Sequence, residues 1–307
     1  MKFNKLNNSI SLPSYAKINL SLDVIGKTMI FGKGNYHNLS MIMQTVSLHD
    51  DIYLLKTNTT GVINISCSGS DTASHFIPEN EKNTAYKAAK LIFQKFPSQT
   101  IGLGLDIKIN KRIPIAAGLA GGSSNAAAVI KAMNYLFKLS MSNKQMCSIG
   151  LEIGADVPYC LYGGTMLAEG IGEVLTPLPS FPESVFLLVN PGDPLSTAEI
   201  FSSIKDISAL PHPDTSRLIS YLKDQDKIGF MKNTANSLEF PSMNLMPCIS
   251  KIKDTMIEKS AIGALMTGSG PTVFGLFKDM DSAQNAKEYF SNLNKKYKTF
   301  IVTNKSF

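Results

Sequence analysis

The stretch PIAAGLAGGSSNAAAVI, residues 114–130, constrains the fold more than any other part of the chain. Gly118, Gly121 and Gly122 permit positive φ and carry no side chains, so backbone N–H groups there can close on a ligand. Val129, Ile130, Met133, Leu136 and Phe137 then follow helical spacing, with Ser123 or Ser124 placed to cap the helix start. A helix N-terminus behind such a loop seats an anion, and the serine hydroxyls reach phosphate oxygens or Mg²⁺. The same residues also suit a tight turn into a capped helix with no ligand. No Gly-Lys-Ser/Thr closes a Walker loop, the glycine spacing and later acid of a dinucleotide fingerprint are missing, and no GxSxG elbow occurs.

The chain has 307 residues, 44% of them hydrophobic, enough for one large domain or two ordinary ones. The N-terminal segment lacks the apolar core of a signal peptide and no apolar run reaches the length of a membrane span, so a cytoplasmic protein is expected. Four cysteines and four histidines show no metal-ligand spacing. A net charge of +6 suits anionic ligands, but the lysines are scattered among acids. That distribution disfavours nucleic acid and leaves a phosphorylated small molecule.

SYAKINLSLDV alternates Ala16, Ile18, Leu20 and Leu22 with Tyr15, Lys17, Asn19 and Ser21, the period of a half-buried strand, which puts Lys17 and Asn19 on one face. KNTAYKAAKLIFQKF has helical spacing, and IGLGLDIKINKRIP reads as a strand. The interspersed elements predict an α+β fold. A Gly/Pro-rich stretch places a domain boundary near residue 167, giving domains 1–167 and 168–307. The second would contain the strand SVFLLVN, a polar helical segment from about 197 to 260, and a strand, glycine turn and strand in AIGALMTGSGPTVFGLF.

Taken together, PIAAGLAGGSSNAA, SYAKINLSLDV and MTGSGPTVFGLF resemble, in order, three motifs of the GHMP kinases, the superfamily of galactokinase, homoserine, mevalonate and phosphomevalonate kinases. The resemblance implies a two-domain fold with an ATP-binding N-terminal domain, a ferredoxin-like C-terminal domain and the active site between them. Tyr36-His37, MQTVSLHD, NKRIP, GADVPYCLYGG, AEGIGEVLTPLP and NPGDPLST add a likeness to the branch acting on 4-diphosphocytidyl-2-C-methyl-D-erythritol. That branch moves the γ-phosphoryl of ATP, with Mg²⁺, to the C2 hydroxyl of a cytidyl diphosphate substrate in the non-mevalonate isoprenoid route.

By that resemblance Asp156 is the catalytic base and Lys17 its partner. Pro114, Ile115, Ala116, Ala117, Gly118, Leu119, Ala120, Gly121, Gly122, Ser123 and Ser124 hold ATP, with Asn83 and Lys111 on the adenine side and Mg²⁺ near Ser124. Asn19, Tyr36, His37 and Thr197 bind the acceptor, and Gly268, Ser269 and Gly270 form the third motif. Without the resemblance, Asp156 reads as a helix N-cap before Pro158 and Lys17 as an exposed strand lysine. The chain departs from the pattern in two places: GKTMIFGKGNYH is long, with Gly34-Asn35 before Tyr36, and Ser237 stands where an aspartate is usual. The alternatives are a kinase of mevalonate or homoserine, or a nucleotide-binding regulator without chemistry.

Overall fold

A computed structural model describes residues 4–6, 8–30, 33–69 and 77–306. The first layer is a sheet built around two long strands. β1 (Asn4–Leu6) pairs with β2 (Ser9–Ile30), which pairs along its length with β3 (Lys33–Thr57). One end of β3 then pairs with β5 (Gly104–Lys111), which lies parallel to β4 (Ile63–Gly69). The other end pairs with β6 (Thr165–Gly170), and β6 with β7 (Val174–Pro177). Helices α1 (Thr84–Lys95), α2 (Pro97–Thr100), α3 (Gly121–Leu136), α4 (Asn143–Ile153) and α5 (Val157–Tyr162) complete this part. Ile52, Leu54, Ile107 and Ile109 of the sheet share a core with Ala88 and Ile92 of α1 and Val129, Ile130 and Met133 of α3.

The second sheet has the order β11-β8-β10-β9 and is antiparallel throughout, from β8 (Val185–Asn190), β9 (Gly263–Met266), β10 (Val273–Phe277) and β11 (Lys298–Thr303). Between β8 and β9 run α6 (Thr197–Ser203), a 3₁₀ turn (Ile207–Ala209), α7 (Thr215–Lys223), α8 (Lys227–Asn233), α9 (Glu239–Leu245) and α10 (Cys248–Glu258), while α11 (Met280–Leu293) joins β10 to β11. This split βαβ pattern is ferredoxin-like. No helix among the described residues is long and apolar enough to cross a membrane.

The expected boundary at 167 falls inside β6; the β6–β7 hairpin pairs with the first sheet, and the chain reaches the second between Pro177 and Val185. The Gly/Pro richness there reflects the hairpin turn and the crossing together, which composition does not separate. After β11 the chain returns, Lys305 N–H donating to the Thr45 carbonyl at 2.8 Å and Gln44 to the Lys305 carbonyl at 3.0 Å. The two parts also share a core: Ile18, Leu20 and Ile42 of the first sheet and Ala117 and Leu119 of the glycine loop pack with Phe186, Leu188 and Phe274 of the second.

A polar contact adds to this join. His212, on the connector after α6, meets the buried Asp23 of β2 through Nδ1 at 2.6 Å and the Ile207 carbonyl through Nε2 at 2.9 Å. The Asp23 bond holds the imidazole above its ordinary value of 6.5. A raised pKa contributes stability that is complete below the unfolded value and is lost as pH rises through the folded one. Stability is therefore expected to fall as pH rises from about 6.5, with His212→Gln removing that slope, read from urea midpoints across the pH range.

Candidate active site

Lys17 anchors the site. It sits on β2 and is only 4% exposed, because the glycine loop and the β9–β10 turn cover a strand face that alternation alone marks as open. Register shifts between Tyr15 and Lys17 and between Asn19 and Ser21 bend the strand here. Lys17 Nζ donates to Asn19 Oδ1 at 2.5 Å and lies 3.8 Å from Asp156 Oδ2. Asp156 occupies the N-cap position of α5, yet its side chain makes no capping hydrogen bond. The carboxylate instead faces the ammonium, one-third exposed to the cavity.

The glycine loop reaches this pair from the opposite side. Lys17 N–H donates to the Leu119 carbonyl at 3.2 Å. Gly118 has φ +73°, and a Cβ there would lie 2.3 Å from the Thr267 carbonyl, so only glycine lets the loop touch the β9–β10 turn. Thr267 Oγ1 accepts from Asn19 N–H at 2.9 Å, tying all three motifs together. Ala116 and Ala120 are held in left-handed conformations, at about 1–2 kcal/mol each.

The helix begins at Gly121, with Ala120 as an N-cap that supplies no side-chain bond. This corrects the expected serine cap. Ser124, beside which Mg²⁺ was expected, is turned inward, donating to the Tyr15 carbonyl at 2.7 Å and accepting from Ser14 at 2.8 Å, and does not line the cavity. Ser123 does line it. Without a side-chain cap, the first-turn N–H groups stay available to an anion.

The cavity of about 780 Å³ is lined by Lys17, Asn19, Asp156, Asn83, Lys111, Thr197, residues 114–123 and Gly268, Ser269 and Gly270. Asn83 also caps α1, accepting from Ala85 N–H at 2.9 Å. Lys111 lies against the helix start, its ammonium 3.2 Å from where a Gly121 Cβ would be. Thr197 Oγ1 and Ser269 Oγ are 2.7 Å apart, joining α6 to the third motif.

A second cavity of about 580 Å³ contains Tyr36 and His37. The long segment before them continues the β2–β3 hairpin, whose tip, residues 31 and 32, lies outside the described residues; pairing fixes His37 opposite Lys27. His37 stacks on Phe201 of α6, centroids 4.8 Å apart and planes 29° apart. Burial, then the charge of Lys27, pushes the imidazole below 6.5. Leu39, Ala155, Ile171 and Phe201 line both cavities, so the two are continuous neighbours.

Two residues here escaped the sequence reading. Phe201 carries no motif beyond a helical apolar position, and its ring partner is 164 positions away in the chain, from 37 to 201. Asp50, in the quoted MQTVSLHD, is fully buried; it pairs with Lys111 and accepts from Arg112 N–H at 2.8 Å and Ile113 N–H at 2.9 Å. Asp50 lies inside β3 and NKRIP begins sixty positions later, so no local pattern joins the two.

Comparison with known proteins decides the family. The GHMP kinases N terminal domain matches residues 83–164 and the GHMP kinases C terminal domain residues 218–296. The chain belongs to the GHMP kinases. A Clostridium botulinum protein called 4-diphosphocytidyl-2-C-methyl-D-erythritol kinase is 42% identical to this GHMP kinase over 290 residues, 94% of this chain and 98% of the relative. One of the same name from Clostridium perfringens is 44% identical over 289 residues, 94% and 95% of the two chains. A crystal structure of a 4-(cytidine 5'-diphospho)-2C-methyl-D-erythritol kinase superposes with a TM-score of 0.78 at 27% identity, covering 97% of this chain and all of that one. A homoserine kinase from Cytophaga hutchinsonii, at 20% identity and TM-score 0.72 over 99% and 97% of the chains, shares the fold.

Asp50 offers a direct check on how this kinase holds its loop. Removing one partner of a buried ion pair strands the other, so Asp50→Asn should destabilise by about 3–5 kcal/mol in urea denaturation. The surviving folded fraction should show a raised KM for ATP, as the strand leading into the loop loses its anchor.

Proposed function

We propose that this GHMP kinase transfers the γ-phosphoryl group of ATP to the C2 hydroxyl of 4-diphosphocytidyl-2-C-methyl-D-erythritol, forming the 2-phosphate in non-mevalonate isoprenoid precursor synthesis. The observation that carries the reading is the Lys17–Asp156 pair, placed in the glycine-loop cavity beside a second cavity that holds the stacked His37 and Phe201. One space suits a phosphate donor and the other a flat base. Mevalonate and homoserine, the rival acceptors, have no ring to fill the second.

In this reading the loop amides of residues 118–123 and the start of α3 orient the triphosphate, with the Lys111 ammonium beside them. When bound with ATP, Mg²⁺ would supply positive charge to offset that of the phosphates. Ser123 is the hydroxyl placed to reach it, whereas Ser124 is committed to Tyr15.

Asp156 accepts the proton as the C2 oxygen bonds to the γ-phosphorus and the bond to the departing ADP breaks. Lys17, held by Asn19, stabilises the charge spreading over the transferring group and keeps the carboxylate oriented. Because phosphoryl transfer is loose, position and charge carry more of the acceleration than proton removal. The uncapped carboxylate supports this role over a structural one, and a regulator without chemistry would not need the pair.

Asp156→Asn should lower kcat by about 10²- to 10⁴-fold, the usual range for loss of a general base, with the melting curve little changed. Near-normal turnover would sink the assignment. His37→Ala and Phe201→Ala should each raise KM for the cytidyl acceptor while KM for ATP stays within about twofold, since stacking is worth about 1–3 kcal/mol per base. A rise confined to ATP would place the aromatic pair on the donor side.

A further inference from the structure

The β2–β3 hairpin sets Lys27 directly opposite His37. Opposed residues of an antiparallel pair share a face, with Cβ atoms about 5 Å apart. That face lines the second cavity, in which Lys27 is the charged residue and Tyr36 and His37 the other titratable ones. The rest of the lining, Leu39 of the same strand and Ala155, Ile171, Ala198, Phe201, Ser202 and Ile204 of the elements packed against it, carries no charge. Lys27 is exposed and has no ion-pair partner among the described residues.

An acceptor that stacks its base on His37 and brings its hydroxyl to Asp156 must thread the intervening diphosphate between the two cavities. The residues that line both, Leu39, Ala155, Ile171 and Phe201, offer no counter-charge. The Lys17 ammonium is already engaged by Asn19 and Asp156. We propose that Lys27 is the counter-charge for the acceptor's diphosphate, held at the rim of the second cavity by its register opposite His37.

The proposal rests on the cytidyl diphosphate acceptor assigned above. It gives the lysine a second effect. Its charge adds to burial in lowering the His37 pKa, so the ring is neutral at physiological pH. Its Nε2 is buried and has no hydrogen-bond partner in the described structure.

The test compares CDP with cytidine as calorimetric probes on the wild type, Lys27→Gln and Lys27→Arg, with turnover of the cytidyl-methylerythritol substrate measured on the same wild-type preparation. A charge-assisted contact predicts that the wild type prefers CDP by about 10- to 100-fold. Lys27→Gln should lose most of that preference with cytidine affinity unchanged, and Lys27→Arg should keep it. In NMR titrations the His37 ring proton should titrate at higher pH in Lys27→Gln. Equal CDP preference in wild type and Lys27→Gln, no preference in the wild type, or an unmoved His37 titration would each overturn the proposal. Absent turnover with a Lys27-dependent CDP preference would remove the acceptor assignment and leave Lys27 as a diphosphate counter-charge.

Discussion

The structure turns on one buried cation. An ammonium removed from water carries a penalty of several kcal/mol that only hydrogen bonds and an opposite charge offset. Lys17 meets that demand with Asn19 and Asp156, and each partner fixes a different piece of chain. Asn19 is itself pinned through its backbone to Thr267 of the β9–β10 turn, while Asp156 opens α5. Segments more than a hundred residues apart are thus brought within a few ångströms of one side chain, and the cavity forms where they meet.

The loop obeys the same logic at its own start. Asp50 is buried and accepts from one ammonium and two backbone amides, so Arg112 and Ile113 leave β5 in a single direction toward the glycines. Ser124, bonded to Tyr15 and Ser14, anchors the other end on β2. With both ends fixed, the chain between them can hold Ala116 and Ala120 in strained left-handed conformations. Strain placed there leaves the helix start without a side-chain cap, and an anion meets bare amides rather than competing with a serine.

Much of this was legible in the sequence because local patterns carry it. Period-two alternation marked β2, the 3.6 period marked α1 and α3, and Lys17 and Asn19 do share a face. What local patterns missed depends on long-range contact. The odd face of β2 reads as open but is covered, at Lys17 and Asn19 by the loop and the β9–β10 turn and around Ser21 by residues 234–237; Asn19 and Ser21 are fully buried. The serines that looked like caps lie three and four residues past the cap, Ala120. The boundary expected near 167 lies inside β6, because a hairpin turn and a crossing between sheets share a vocabulary of glycine and proline. Phe201 was invisible because its meaning comes from His37 across the cavity.

The departure at Ser237 follows from charge placement. Ser237 is fully buried, donates to the Pro211 carbonyl at 2.7 Å, accepts from Val24 N–H at 3.2 Å and lies 3.2 Å from Asp23 Oδ1. Asp23 is buried as well, with His212 Nδ1 2.6 Å from its Oδ1. An aspartate at 237 would set a second carboxylate against the first, with one imidazole between them, and like charges in a poorly solvated pocket raise each other's pKa. A neutral hydroxyl avoids that conflict while still tying the 235–239 segment to β2. The cluster lies away from Lys17 and Asp156, so the serine alters how the two parts are joined and leaves the reacting groups as they are.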